Sequence, residues 1–106
     1  MYRAEEVQPK KWNDIQVIYD DGTYSAVWGY YGGQEQKSLG VRWNGGERDN
    51  GYPNQGRYPL WYVEPELVTK TILLQFQDLV RSQPHSDLRS EYLNNIGIAL
   101  REFREL

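Results

Sequence analysis

Apolar and aromatic residues run from Ile15 to Tyr19 and resume from Thr23 to Tyr31, on either side of the polar Asp20-Asp21-Gly22. Two such runs joined by an Asp-Gly turn predict a β-hairpin, because glycine supplies the positive φ that tight turns require. In the first strand Ile15, Val17 and Tyr19 share one face, and Gln16 and Ile18 the other. In the second, Tyr24, Ala26, Trp28 and Tyr30 alternate with Thr23, Ser25, Val27, Gly29 and Tyr31. One face therefore carries a ladder of aromatics, which fits either a buried core or an exposed platform. Gly29, inside a strand, marks a bulge or a close approach of another backbone.

A third strand is expected at Leu39 to Asn44, with Leu39, Val41 and Trp43 on one face and Gly40 and Arg42 on the other. Asn44 to Pro59 follows as sixteen residues holding four Gly, two Pro and three Asn. A loop of that length and composition is expected to carry function as a binding loop, an ordered Ω-loop or a disordered flap, and Tyr52 and Tyr58 within it point to a loop that packs down. Leu60 to Val63 is a short fourth strand, closed by Glu64-Pro65. The polar stretch Met1 to Asn13 is expected to be irregular, with Trp12 plugging one end of the core.

The period then changes from two to about 3.6. Pro65 to Ser82 predicts a helix in which Val68, Ile72, Phe76 and Leu79 form the apolar stripe, broadened by Leu73 and Val80. Leu67 and Leu74 add apolar surface on another side. After Gln83-Pro84-His85-Ser86, with Ser86 as N-cap, a second helix runs from Asp87 to Leu106. Its stripe is Leu88, Tyr92, Ile96, Ala99, Phe103 and Leu106, with Leu93 and Leu100 beside it. Gly97 predicts either a close crossing or a break near Asn94-Asn95.

Four strands followed by two helices give the α+β class: a twisted antiparallel sheet, with an SH3-like partial barrel as a variant, and two C-terminal helices packed on it. At 106 residues the chain is one domain. Twelve of its fifteen aromatic residues precede Pro65. The domain thus divides into an aromatic β layer over 1–64 and a helical layer over 65–106. Surplus leucines on both helices (Leu67, Leu74, Leu93 and Leu100) predict a homodimer or higher oligomer.

The net charge of −3 and the pI near 5.1 argue against nucleic acid as a partner. There is no Cys, which removes disulfides and thiolate chemistry and fits a cytoplasmic setting. No apolar run approaches the ~20 residues of a membrane span, and no signal-like segment opens the chain. The single histidine, His85, lies in the interhelical turn without a recognisable catalytic partner. No phosphate loop, metal-ligand spacing or cofactor motif is present, and no catalytic residues are assigned. Asp20 and Asp21 are accounted for by turn chemistry.

What remains is an aromatic surface: Trp28, Tyr30, Trp43, Tyr52, Tyr58, Trp61 and Tyr62, interleaved with Arg42 and Arg57. These residue types suit a small-molecule or peptide ligand or a protein partner, and the expected function is a binding domain using that surface near the 45–59 loop. The alternatives are a small enzyme using a carboxylate and a tyrosine in an aromatic pocket, and a reader of nucleic acid or methylated peptides. The last draws on a resemblance. IYDDGTYSAVWGYY followed by LGVRWNG is similar in outline to Tudor and other SH3-like barrels, which place an acidic-Gly turn before Tyr, Ala and Val and then a V-x-W strand. It implies an aromatic cage for a cationic or peptide ligand, with Tyr24, Trp28 and Trp43 as its walls.

Overall fold

The computed structural model describes residues 1–104. After a 3-10 turn at Ala4–Glu6, the chain forms β1 (Trp12–Asp20), β2 (Tyr24–Tyr31) and β3 (Lys37–Trp43). A minor hairpin follows, of β4 (Asn54–Gln55) and β5 (Tyr58–Pro59), then β6 (Tyr62–Val63) and the helices α1 (Glu66–Arg81) and α2 (Asp87–Arg104). The main sheet has the order β1-β2-β3-β6, antiparallel throughout, so the α+β architecture is an open antiparallel sheet followed by two helices. The sheet does not close into a barrel.

The alternation of β2 and β3 sorts the residues onto two covered faces. On the helix side, Ala26, Trp28, Leu39 and Val41 pack with Leu73, Phe76 and Val80 of α1 and Tyr92, Ile96 and Ala99 of α2. The opposite side is also buried. Ala4, Val7, Trp12 and Trp61 close over Val27, and the Trp61 indole N–H donates to the Val7 carbonyl at 2.9 Å. The segment expected to be irregular is thus a second layer. Glycine is required at Gly40, where a Cβ would meet the Trp12 ring at 2.8 Å and the Trp61 Cβ at 3.0 Å.

Three local expectations need correction. The register of β1 slips between Asn13 and Gln16 and again between Val17 and Tyr19, with Asp14 at φ 52. These bulges break strict alternation, so Ile18 and Tyr19 both face the helices. Gly29 sits across the first slip, where a Cβ would lie 3.1 Å from the Asn13 carbonyl oxygen. In α1 the buried stripe is Thr69, Leu73, Phe76 and Val80, not one centred on Val68 and Leu79. Leu79 is exposed and Ile72 half-buried, because the helix presents to the sheet the face one position on. Finally, α2 is continuous through Gly97, which meets neither a close crossing nor a break. Leu88 is exposed, and Leu106 lies outside the described residues.

Candidate functional site

Arg42 organises the region after β3. Its side chain is only 1% exposed, on the face of β3 opposite the helices. One guanidinium nitrogen donates to the carbonyls of Pro53 at 2.8 Å and Leu60 at 2.7 Å. The other donates to the Asn50 carbonyl and, at 3.5 Å, to the Asn54 side-chain oxygen. No carboxylate pairs with it among the described residues. The fork geometry of arginine suits this role, since several donors on one rigid plane can gather carbonyls from separate stretches of chain. Burial draws its pKa below the usual arginine range, with the Tyr2 side chain acting against that shift.

Around this cation the stretch from Asn44 to Leu60 is an ordered loop that carries the β4–β5 hairpin. Trp43 and Tyr52 exchange both backbone hydrogen bonds, at 2.8 and 3.1 Å. The Asp49 carboxylate accepts the N–H groups of Gly51 and Gly46, which hold it below its ordinary pKa. Gly51 has φ +73, and a Cβ there would run into the Trp43 carbonyl, so no other residue fits.

The loop displays aromatic rings on the helix side of the sheet, beyond the part that α1 covers. Trp43 is 55% exposed, Tyr52 67% and Tyr62 52%. Tyr24 and Trp43 are cross-strand partners whose rings meet edge to face at 4.6 Å. Tyr24 in turn stacks on Phe76 at 6.5 Å, tying the exposed patch to the core. Tyr62 is paired with Val41 and so faces the same way. Tyr58 and Arg57 are exposed in the β4–β5 hairpin.

Other residues singled out from the sequence are placed elsewhere. Trp28 is a core residue, its indole N–H donating to Glu102 at 3.1 Å and its ring edge-on to Phe103. Trp61 is buried on the other face. Neither they nor Arg42 present surface to a ligand. Tyr30 is half-buried with the Lys37 ammonium 5.5 Å over its ring. The cage implied by the barrel resemblance does not form, because Trp28 lies beneath α2 and the Tyr24–Trp43 contact fills the space a cation would need. Leu93 and Leu100 pack partly buried against the helix-side core, so of the four leucines expected at an oligomer interface Leu67 and Leu74 are the exposed ones.

The acids of the hairpin tip are spent on structure. Asp20 accepts from the backbone N–H of Ala4 and Gly22 and from the Asn44 amide, each at 2.9 Å, and Asn44 accepts the Ser25 hydroxyl. Burial raises the Asp21 pKa, but the N–H groups of Tyr24 and Thr23 and the Tyr19 hydroxyl outweigh it and leave it lowered. Burial first, and then that hydrogen bond, push the Tyr19 hydroxyl up to about 12. His85 is exposed beside the Arg89 guanidinium. Among the described residues no group of three His, Cys, Asp or Glu side chains is placed to hold a metal ion, and no helix is long and apolar enough to cross a membrane.

A separate cleft of about 270 Å³ opens at the other end of β3, between the β2–β3 turn, the β6–α1 junction and the end of α2. Its walls include Lys37, Ser38, Glu64, Glu66 and Phe103. Residues so far apart in the chain gave no common signal in the sequence. Comparison with protein-family models, curated proteins and solved structures finds no match to this chain.

Proposed function

We propose that this domain is a binding module whose partner, a protein or peptide, docks on the aromatic surface of Trp43, Tyr52 and Tyr62, with Tyr24 at its inner edge and Tyr58 and Arg57 in the neighbouring hairpin. The observation that carries this reading is three large aromatic residues, each more than half exposed, grouped around a loop that a buried arginine holds in one conformation. Aromatic side chains contribute most binding energy per residue at interfaces, and a pre-ordered loop loses little entropy on docking. The test is selection of random peptides on the immobilised full chain, followed by titration against Trp fluorescence. Enriched peptides should bind about tenfold or more weakly to Trp43→Ala, as expected for a hot-spot residue. Peptides that bind Trp43→Ala and Tyr52→Ala as well as the wild type would refute the assignment.

Self-association is a second reading, favoured by Leu67, which is 87% exposed, and by Leu74 two turns along α1. Light scattering that shows a monomer at high micromolar concentration would dismiss it.

A further inference from the structure

The aromatic surface does not end at Tyr62. The Glu64 N–H donates to the Leu39 carbonyl at 2.9 Å, so the ladder that pairs Tyr62 with Val41 and Val63 with Gly40 extends one residue further. Leu39 and Val41 are core residues on the helix side. Tyr62 and Glu64, opposite them, point to that side too, while Val63 points away. Trp43 lies two residues beyond Val41 on the same face. Its neighbour Tyr24 senses the Glu64 carboxylate: burial first, and then that negative charge, hold the Tyr24 hydroxyl above its ordinary pKa.

Glu64 is also a wall of the cleft, together with Glu66 and Phe103. The aromatic surface and the cleft therefore meet at one side chain. Trp43 and Leu39, which Glu64 faces, are four residues apart on β3. At strand spacing that is about 13 Å, the reach of a short extended peptide.

The charges at the cleft end are unbalanced. Lys37 is neutralised by Glu102 at 3.0 Å. Neither Glu64 nor Glu66 has a cationic partner among the described residues. Glu64 is half-buried, where an opposite charge interacts with it more strongly than in open water.

We propose that the partner of the aromatic surface is a basic peptide segment: one aromatic or aliphatic side chain packs on Trp43 and Tyr62, and a Lys or Arg about four residues away places its cation in the cleft, facing Glu64 and Glu66. The inference rests on the binding-module reading and adds to it the partner's charge and the spacing of its two anchors. In this arrangement the rings supply most of the affinity and the carboxylates choose among sequences.

The probe is the random-peptide selection on the immobilised full chain, run in parallel on the wild type and on the double variant Glu64→Gln/Glu66→Gln. Glutamine keeps the shape of each side chain, and the bond from Glu64 to Leu39 is made by the backbone, so the fold is retained. Peptides enriched on the wild type should carry Lys or Arg at a fixed spacing from an apolar anchor. They should bind the double variant about three- to tenfold more weakly, as expected for two partly exposed carboxylates. Exchanging the basic residue for methionine should weaken binding to the wild type by a similar factor and leave binding to the double variant unchanged, the coupling that direct contact requires. Peptides that depend on Trp43 but carry no basic residue at fixed spacing, or that bind the double variant as tightly as the wild type, overturn the proposal and leave the aromatic surface standing. Absence of any enriched peptide, or indifference to Trp43→Ala, refutes both. A wild-type chain that self-associates where the double variant does not would assign the strip to a second copy and overturn the proposal.

Discussion

Replacing Arg42 by methionine keeps an unbranched side chain about as far as the arginine Nε and removes every donor that gathers the 44–60 segment. In the wild type the guanidinium serves the carbonyls of Pro53, Leu60 and Asn50, with Asn54 as a longer fourth contact. Hydrogen bonds to a charged donor contribute about 1.5–3 kcal/mol each. Three of them set a gross loss of roughly 5–9 kcal/mol on the same scale. Two terms reduce it. A buried cation without a carboxylate carries a desolvation penalty that methionine avoids, and the loop carbonyls lie near enough to the surface to regain water once the loop opens. The expected net cost is about 2–4 kcal/mol, within the range of mutations that break a buried polar network. Urea unfolding followed by far-UV circular dichroism measures it. Limited proteolysis should in addition cut Arg42→Met between Asn50 and Tyr58 under conditions that leave the wild type intact. Arg42→Lys should fall in the same direction, because one ammonium cannot reach carbonyls on separate stretches as a planar fork does. A loss below about 0.5 kcal/mol, the level of an ordinary surface substitution, with the loop still protected, would refute the view that this cation orders it.

Gly97 lies within α2 with nothing near the position of an added Cβ. Gly97→Ala should therefore stabilise the fold by about 0.5–1 kcal/mol, read as a higher urea midpoint with an unchanged slope. Burial pushes the hydroxyls of Tyr19 and Tyr92 up to about 12, reinforced at Tyr19 by the hydrogen bond to Asp21 and at Tyr92 by the nearby Asp20 charge. Both raised values favour the neutral phenol in the folded state. Their contribution to stability is complete below the unfolded value near 10 and is lost as pH rises from there toward 12. Ultraviolet titration should show Tyr19 and Tyr92 among the tyrosines that ionise only as the chain unfolds in alkali, and Tyr19→Phe should remove one late-titrating group.

The order of strands and helices, the Asp-Gly hairpin and the two-faced character of β2 and β3 were readable in the residues themselves. Each rests on local chemistry: a glycine that tolerates positive φ, side chains alternating along a strand, a proline at a helix start. Alternation assigns residues to sides but does not say what covers each side. Only the tertiary structure decided that Trp28 and Trp61 are core residues on opposite faces while Trp43 stays exposed, although all three read alike as strand tryptophans. The bulges of β1 and the phase of α1 were likewise settled by packing. Local pattern leaves several nearly equal apolar faces, and burial against a particular neighbour chooses one. Arg42 shows the same division most sharply. Its place on the minor face of β3 followed from its neighbours in sequence, whereas its carbonyl partners stand 8 to 18 residues away and come within reach only when the loop folds around it.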